Sequence, residues 1–228
     1  MPHVWSIDVG HRNMGLAILD VSEEILKALE YRSHPVGPPP DKSKMLWKDV
    51  SVVYRGTHDA WGGKTAKFTL LEINHNMHLM IDTLVFTALS LVSSPRFVLI
   101  EDQPLMKYKG KTNVSIQWFM HGVFAAFGIQ SAVVSPKLKM SRHVLKQADF
   151  DPIFSESETF ENAKKYTYNE RKSVSLRVAQ RWHQYLGNST TLLRQLSSHF
   201  RGITRADDSD ALLQLVGLFG QLGVNNAC

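Results

Sequence analysis

The chain opens on a short apolar run that ends in an acid. Trp5 to Ile7 favour a strand, Asp8 follows, and Gly10 begins a polar turn before a second strand-like run from Met14 to Leu19. The two runs predict a β-hairpin with Asp8 near its centre. A buried strand accepts a carboxylate only when its charge is compensated, usually by a metal ion. Asp8 is therefore either a metal ligand or a capping residue of the hairpin.

Three later segments also favour strands. Val50 to Arg55 is dense in β-branched and aromatic residues, and Gly56 should close it. The runs 96–100 and 130–134 are short and mostly apolar. Together with the hairpin, these segments predict a central sheet of five strands.

Steps of three and four between apolar residues predict helices around this sheet. From about Lys64 to Val92 the pattern favours one long amphipathic helix. A second helix is predicted from Val114 to Phe127, and a third begins with Pro136 at a position that tolerates proline. Because prolines fix φ and lack a donor, the stretch 34–41 should be an extended surface loop.

Two further acidic elements repeat the opening pattern. Glu101 directly follows a predicted strand and is expected to be a ligand, whereas Asp102 beside it should point to the opposite side. Asp207 and Asp210 are three residues apart at the start of an apolar helix, so they share one face. N-capping explains one aspartate there, but this helix start has three.

Composition limits the kind of protein this chain is. Its 228 residues and 43% hydrophobic content predict a single domain, residues 1–228, with a full core. A net charge of +5 and a pI near 9.3 favour a polyanionic partner. Cys228 is the only cysteine, which excludes an internal disulfide and a cysteine-rich zinc site. No signal peptide or long apolar run is visible, so we expect a soluble intracellular protein.

Basic residues concentrate in two segments that are candidate nucleic-acid contacts. The first surrounds Tyr108 and suits phosphate contact with base stacking, although a solvated lysine loop is an equal alternative. The second opens a helix, where cations oppose the macrodipole. An anionic partner would explain them, and a lysine-rich helix start without function is the alternative. The candidates are Lys107, Lys109, Lys111, Lys164, Lys165, Arg171 and Lys172.

The acids form a set of four without histidine or cysteine: Asp8, Glu101, Asp207 and Asp210. Such a set suits hard divalent ions such as Mg²⁺ or Mn²⁺. Two ions held about 4 Å apart can activate a water and stabilise the leaving oxygen at a phosphodiester. Together with the basic segments, this predicts nuclease chemistry.

The order β-β-β-α-β-α-β-α, with acids in strand 1, strand 4 and the last helix, resembles the RNase H-like superfamily. Within it the chain is similar to the RuvC-like Holliday junction resolvases of the poxvirus and fungal-mitochondrial branch. The segments that carry this resemblance span nearly the whole chain in family order. They are 6–10 with 13–15, 100–104 with 115–117, 134–137, 168–172 and 207–212.

The resemblance implies an α/β fold with a mixed five-stranded sheet and a homodimer that nicks opposed strands of four-way DNA junctions during recombination or viral genome processing. It implies two Mg²⁺ ions per site, replaceable by Mn²⁺, held by the four acids, with Lys172 near the scissile phosphate. The chain departs from the family pattern in the extra segment 35–49 and in Asp208, which is an alternative ligand to Asp207. We expect no transit peptide before strand 1, so the mitochondrial variant is the less favoured one.

Two rival functions share these features. One is another RNase H-like nuclease that cuts RNA hybrids or linear DNA, and the other is a non-catalytic nucleic-acid-binding module on the same fold. The dimer surface is expected on the helix that carries Trp118, Phe119 and Phe124, which supplies more aromatics than one sheet face needs. A purely internal role for these aromatics is the alternative.

Overall fold

The structure is a computed structural model of residues 1–228. It describes residues 1–10, 13–59, 69, 71–72, 75–76, 78–79, 95–103, 111–145, 165–188 and 206–225. The long helix predicted from Lys64 to Val92 lies mostly outside the described residues.

The core of the structure is a mixed sheet of five strands. They are β1 His3–Asp8, β2 Asn13–Asp20, β3 Ser51–Asp59, β4 Phe97–Glu101 and β5 Gln130–Val134. The strand order is β3-β2-β1-β4-β5. The first three strands pair antiparallel, whereas β1–β4 and β4–β5 are parallel. This arrangement confirms the predicted α/β architecture with a mixed sheet.

Strand register brings two of the predicted ligands to one edge of the sheet. Asp8 is the last residue of β1 and pairs with Gly15 of β2. In the parallel β1–β4 pair, Ile7 lies beside Ile100, so Asp8 and Glu101 end neighbouring strands at the same edge. The carboxyl ends of parallel strands are where ligand sites form in open α/β sheets.

Helices cover both faces of the sheet. The described helices are α1 Glu23–Ser33, α2 Lys111–Ala126, α3 Arg142–Leu145, α4 Tyr168–Leu186 and α5 Ala206–Leu222. Four of them, α1, α3, α4 and α5, share a large apolar cluster with one face, while α2 packs on the other. Alternate residues of β1 enter the two clusters, Val4 the first and Trp5 the second, as strand geometry requires. None of the described helices is long and apolar enough to cross a membrane.

Several boundaries differ from the sequence prediction. Gly56 does not end the third strand, because it pairs with Leu16 inside a β2–β3 ladder that continues to Asp59. Helix α2 begins at Lys111, three residues before its predicted start at Val114. The helix predicted after Ser135 is a 3₁₀ helix, Pro136–Met140, followed by the short α3.

The aromatic residues of α2 divide between core and surface. Phe124 is fully buried and meets Trp5 edge-on, with ring centroids 6.3 Å apart. Phe119 is partly buried against the same cluster. Trp118 is 65% exposed. The internal role therefore holds for Phe124, and Trp118 is the member left for a surface contact.

The extra segment 35–49 contributes to the core. Its proline-rich part is exposed, but Trp47 is buried, with its ring centroid 4.9 Å from that of Trp182 in α4 and 6.2 Å from that of Phe219 in α5. The backbone N–H of Trp47 donates to the carbonyl of Asn225. Trp47 thus joins helices α4 and α5.

We expect Trp47→Ala to destabilise the fold by about 3–5 kcal/mol, because it removes a buried aromatic side chain between two helices. Urea denaturation measures the loss. Val36→Ala is the matched control from the same segment, since Val36 is 84% exposed, and it should change stability by no more than about 0.5 kcal/mol. Equal effects of the two substitutions would contradict a core role for the segment.

Candidate active site

Three of the predicted ligands converge on one lysine. The ammonium nitrogen of Lys139 lies 3.0 Å from Glu101 Oε1, 3.0 Å from Asp210 Oδ2 and 3.7 Å from Asp8 Oδ1. All three carboxylates belong to buried residues, and Lys139 itself is largely covered. Buried acids in such proximity need a cation between them, and Lys139 supplies it here.

A second lysine extends the cluster toward the surface. Lys172, near the start of α4, lies 2.9 Å from Asp207 Oδ1 and 3.4 Å from Asp210 Oδ2. Its ammonium is 6.0 Å from the ring centroid of Tyr168. We call these six residues, Asp8, Glu101, Lys139, Lys172, Asp207 and Asp210, the carboxylate cluster.

Glycines let the elements of the cluster approach one another. A Cβ on Gly15, the partner of Asp8 in the β1–β2 ladder, would overlap the backbone carbonyl of Asp207. A Cβ on Gly217 would overlap the carbonyl of Leu138, which neighbours Lys139. Because both positions lack a side chain, the first turn of α5 lies directly on β2 and the 3₁₀ helix lies directly on α5.

Lys139 was missed at the sequence level. It sits in a segment where Ser135 caps the 3₁₀ helix, Pro136 begins it and Leu138 is buried toward α5. The signal in the sequence is an apolar residue, Leu138, between two lysines shortly after a predicted strand. The pattern does not tell which of Lys137 and Lys139 turns inward.

Asp207, and not Asp208, belongs to the carboxylate cluster. Asp208 is fully buried on another side of α5, where its Oδ2 lies 2.9 Å from Arg55 Nε and its Oδ1 accepts a hydrogen bond of 3.0 Å from Thr57. The geometry therefore favours Asp207 of the two alternatives. Asp102 is exposed and does not contact the cluster, in agreement with its expected orientation.

The pKa values of the cluster are shifted because its charged groups are buried close to one another. Burial raises the pKa of Glu101, and the ammonium of Lys139 opposes that rise. Burial alone would lower the pKa of Lys139, but Asp210 and Glu101 outweigh it, so the pKa is raised and Lys139 is charged. The pKa of Lys172 is likewise raised, because Asp210 and Asp207 outweigh its desolvation.

The cluster fits a divalent cation chemically. Four carboxylates face two ammonium groups, so when all are ionised the formal charge is −2, which attracts divalent cations. Oxygen donors suit Mg²⁺ and Mn²⁺. The Oδ1 atom of Asp210 is buried and has no hydrogen-bond partner among the described residues, as an oxygen reserved for a cation would be.

The side chains do not yet surround an ion. Within the described ranges, no group of three His, Cys, Asp or Glu residues is arranged to hold one. The 3.0 Å contacts around Lys139 are longer than the Mg–O distance of about 2.1 Å, so the carboxylates are spread around an ammonium group. Metal binding at the cluster would require Lys139 to move aside.

The cluster lies in a cleft of about 1170 Å³. Its walls come from the ends of β1 and β4, the 3₁₀ helix, and the first turns of α4 and α5. Basic residues from separate elements line it: Lys137 of the 3₁₀ helix, Arg142 of α3, and Arg171 and Lys172 of α4. Lys137 and Arg142 were not among the sequence candidates.

The structure describes only some of the residues predicted to contact nucleic acid. Arg171 and Lys172 line the cleft, and Lys165 is exposed just before α4. Lys111 lies in the first turn of α2. Lys107, Lys109 and Lys164 fall outside the described residues.

Comparison with known proteins gives structural matches alone. No protein-family model matches the sequence, and no curated protein matches it significantly. The solved structure of RuvC from Thermus thermophilus matches with 11% identity and a TM-score of 0.51, over 97% of each chain. The fowlpox virus Holliday junction resolvase matches with 13% identity and a TM-score of 0.48, over 96% of this chain and 99% of that one. The fowlpox resolvase in complex with Holliday junction DNA matches with 14% identity and a TM-score of 0.49, over 96% and 98%.

Sequence identities this low do not assign an activity. The Thermus match nevertheless covers both chains almost completely, so it compares their folds. The chain therefore has the RuvC-like form of the RNase H-like fold. The fold class and the resemblance predicted from the residues are confirmed at that level.

We expect Lys139→Met to reduce stability in a pH-dependent way. The folded-state pKa of Glu101 is already raised, and losing Lys139 raises it further, so ionising Glu101 in the folded state becomes more costly. The loss should reach about 3–5 kcal/mol near pH 7.5, where a buried charge is left unpaired. It should shrink at about pH 4.5, near the ordinary pKa of a glutamate, because Glu101 then takes up a proton in the folded state and no unpaired charge is left.

Urea denaturation at the two pH values, with chelator present, measures this difference. Lys172→Met is the control, because Lys172 contacts Asp207 and Asp210 and is only a minor influence on Glu101. Equal losses at both pH values for Lys139→Met would show that Lys139 does not compensate Glu101.

Proposed function

We propose that this chain is a divalent-metal-dependent endonuclease that resolves four-way DNA junctions, acting during recombination or viral genome processing. One observation carries the proposal: acids from β1, β4 and α5, far apart in sequence, meet around Lys139 in a basic-lined cleft. A structural role would need neither so many acids nor an open cleft. The resemblance to RuvC-like resolvases supplies the substrate class.

The metal would be held by Asp8, Glu101, Asp207 and Asp210. When bound, divalent ions at such a site activate the attacking water and stabilise the leaving oxygen of the phosphodiester. Mg²⁺ is the proposed ion, two per site, with Mn²⁺ as a substitute. The spare Oδ1 of Asp210 and the formal charge of −2 support this ligand set.

The two lysines act on the substrate side of the same cluster. Each is held charged by the carboxylates it contacts. A DNA phosphate brings negative charge into the cleft, where Lys139 and Lys172 are the nearest cations to the acids. In this proposal they neutralise charge that develops on the scissile phosphate in the transition state, where buried cations are most effective. Lys172 also carries this role by resemblance to the family.

The rim of the cleft suits the flanking phosphates. Lys137, Arg142 and Arg171 are exposed and line it, and the chain as a whole carries +5. Phosphate contacts from these residues would position DNA without reading its sequence. Tyr168, 67% exposed at the same rim, offers a ring for stacking on an unpaired base.

The active unit in this proposal is a homodimer. A four-way junction has near two-fold symmetry, and a symmetric dimer presents two equal sites to two equivalent strands. Trp118 supports the location of the interface, since a tryptophan with 65% exposure on α2 is typical of a contact surface.

Asp8→Asn and Glu101→Gln should each reduce cleavage of a synthetic four-way junction with Mg²⁺ by at least about 100-fold, because even outer-shell partners of a metal site account for about 10–100-fold. Junction binding should survive, since removing a carboxylate removes repulsion toward phosphate. Gel assays of cleavage and of binding measure the two effects.

Asp102→Asn is the matched control, because Asp102 follows Glu101 directly but is exposed outside the cluster. It should cleave like the wild type. The same assay on linear duplex and on an RNA–DNA hybrid separates the rival nuclease, which would prefer those substrates. Wild-type rates for Asp8→Asn or Glu101→Gln would refute the ligand assignment.

Removing the rim charges should weaken junction binding and flatten its salt dependence. Each lost phosphate contact lowers the slope of log affinity against log salt by about 0.9, so the triple variant Lys137→Gln/Arg142→Gln/Arg171→Gln should lose about 2–3 in slope. The control has the same charge change away from the cleft, Lys27→Gln/Lys44→Gln/Lys48→Gln. The measurement is the binding affinity for a four-way junction at several salt concentrations. An unchanged salt slope in the rim variant would exclude phosphate contacts by these three residues.

Sedimentation tests the dimer. The wild type should be dimeric at low micromolar concentration, and Trp118→Glu should be monomeric, because a charge would have to be buried in the interface. Leu176→Glu is the control, since Leu176 is exposed on α4. A wild type that stays monomeric even on a junction would favour a single-site nuclease.

A further inference from the structure

A buried polar group fastens the first turn of α5 to β3, next to the carboxylate cluster but outside it. It consists of Arg55 and Thr57 on β3 and Asp208 on α5, and we call it the Asp208 anchor. Asp208 is 0% exposed and Thr57 5%, and the side chain of Arg55 is 8% exposed. None of the three residues lines the cleft.

The anchor combines an ion pair with two directional hydrogen bonds. Arg55 Nε lies 2.9 Å from Asp208 Oδ2. The hydroxyl of Thr57 donates to Asp208 Oδ1 at 3.0 Å and accepts from the backbone N–H of Asp208 at 3.1 Å. The first N–H groups of a helix have no partner within the helix. Here one of them is satisfied by a neighbouring strand, which ties the position and the rotation of α5 to β3.

The rotation of this turn decides where the neighbouring acids point. Successive residues of an α-helix are about 100° apart around its axis, so fixing Asp208 against β3 fixes the directions of Asp207 and Asp210. These two acids are the part of the carboxylate cluster that α5 contributes. The close contact of the Asp207 carbonyl with Gly15 sets the distance of the helix from β2, but it does not set the rotation.

A buried ion pair is a poor choice if stability alone is required. Apolar side chains of similar volume often serve equally well or better, because burial of charges is costly. Apolar contacts are non-directional, however, and would leave the helix free to turn.

We infer that the Asp208 anchor positions Asp207 and Asp210 for metal binding, so that Arg55, Thr57 and Asp208 are positioning residues of the site. This inference rests on the proposed metal-dependent function.

The test measures Mn²⁺ affinity of the full chain by calorimetry without DNA, alongside urea unfolding without metal. Thr57→Val keeps the shape of the side chain but removes both hydrogen bonds. We expect it to weaken Mn²⁺ binding about 10–100-fold, as loss of outer-shell partners does. Thr57→Ser keeps the hydroxyl and should bind Mn²⁺ like the wild type.

A double variant separates positioning from stability. Arg55→Met/Asp208→Leu replaces the ion pair by apolar groups, and we expect it to unfold at the wild-type urea concentration or above while its Mn²⁺ affinity stays reduced. Asp20→Asn is the control. Asp20 lies 2.6 Å from His3 at the opposite end of the β1–β2 ladder, so its loss should lower stability without changing Mn²⁺ affinity.

Wild-type Mn²⁺ affinity in Thr57→Val, or an equal loss in Thr57→Ser, overturns the inference and leaves the proposed function intact. If the double variant does not fold, the Mn²⁺ affinities of Thr57→Val and Thr57→Ser still test the positioning role. If the wild type itself binds no Mn²⁺, the proposed function fails and the positioning role fails with it.

Discussion

The structure depends on compensating four carboxylates that the fold brings to one place. Asp8, Glu101 and Asp210 are buried together, and without a cation their mutual repulsion and desolvation would oppose folding. Lys139 supplies that cation at 3.0 Å from two of the acids. A protein selected for stability alone would replace such a group by apolar residues. This is why we propose that the acids are retained for what they bind.

The rest of the architecture follows from placing these acids. Parallel pairing of β1 and β4 brings Asp8 and Glu101 to one edge. The missing side chains of Gly15 and Gly217 let α5 lie against β2 and let the 3₁₀ helix lie against α5, which completes the group with Asp210 and Lys139. On the far side, Trp47 joins α5 to α4, the helix that carries Lys172. The site is thus assembled from segments that only tertiary packing brings together.

The sequence predicted those parts of the molecule that local pattern determines. The strands that end in Asp8 and Glu101 follow from short apolar runs. The shared face of Asp207 and Asp210 follows from the helical repeat of three to four residues. The inward turn of Lys139 could not be predicted, because it depends on the contact between the 3₁₀ helix and α5. The choice between Asp207 and Asp208 depends on the rotation of α5 against β3. Gly56 was misread as a strand end because its partner in β2, which keeps the strand going, is distant in sequence.

In the proposed mechanism, a divalent metal ion takes the place of the Lys139 ammonium among the acids of the carboxylate cluster. A crystal of the protein soaked in Mn²⁺ tests this directly through anomalous scattering. We expect manganese bound by Asp8, Glu101, Asp207 and Asp210, with Lys139 moved out of contact with the acids. A crystal with no peak at the cluster, and with Lys139 still bound to Glu101 and Asp210 at a Mn²⁺ concentration that supports junction cleavage, would contradict it.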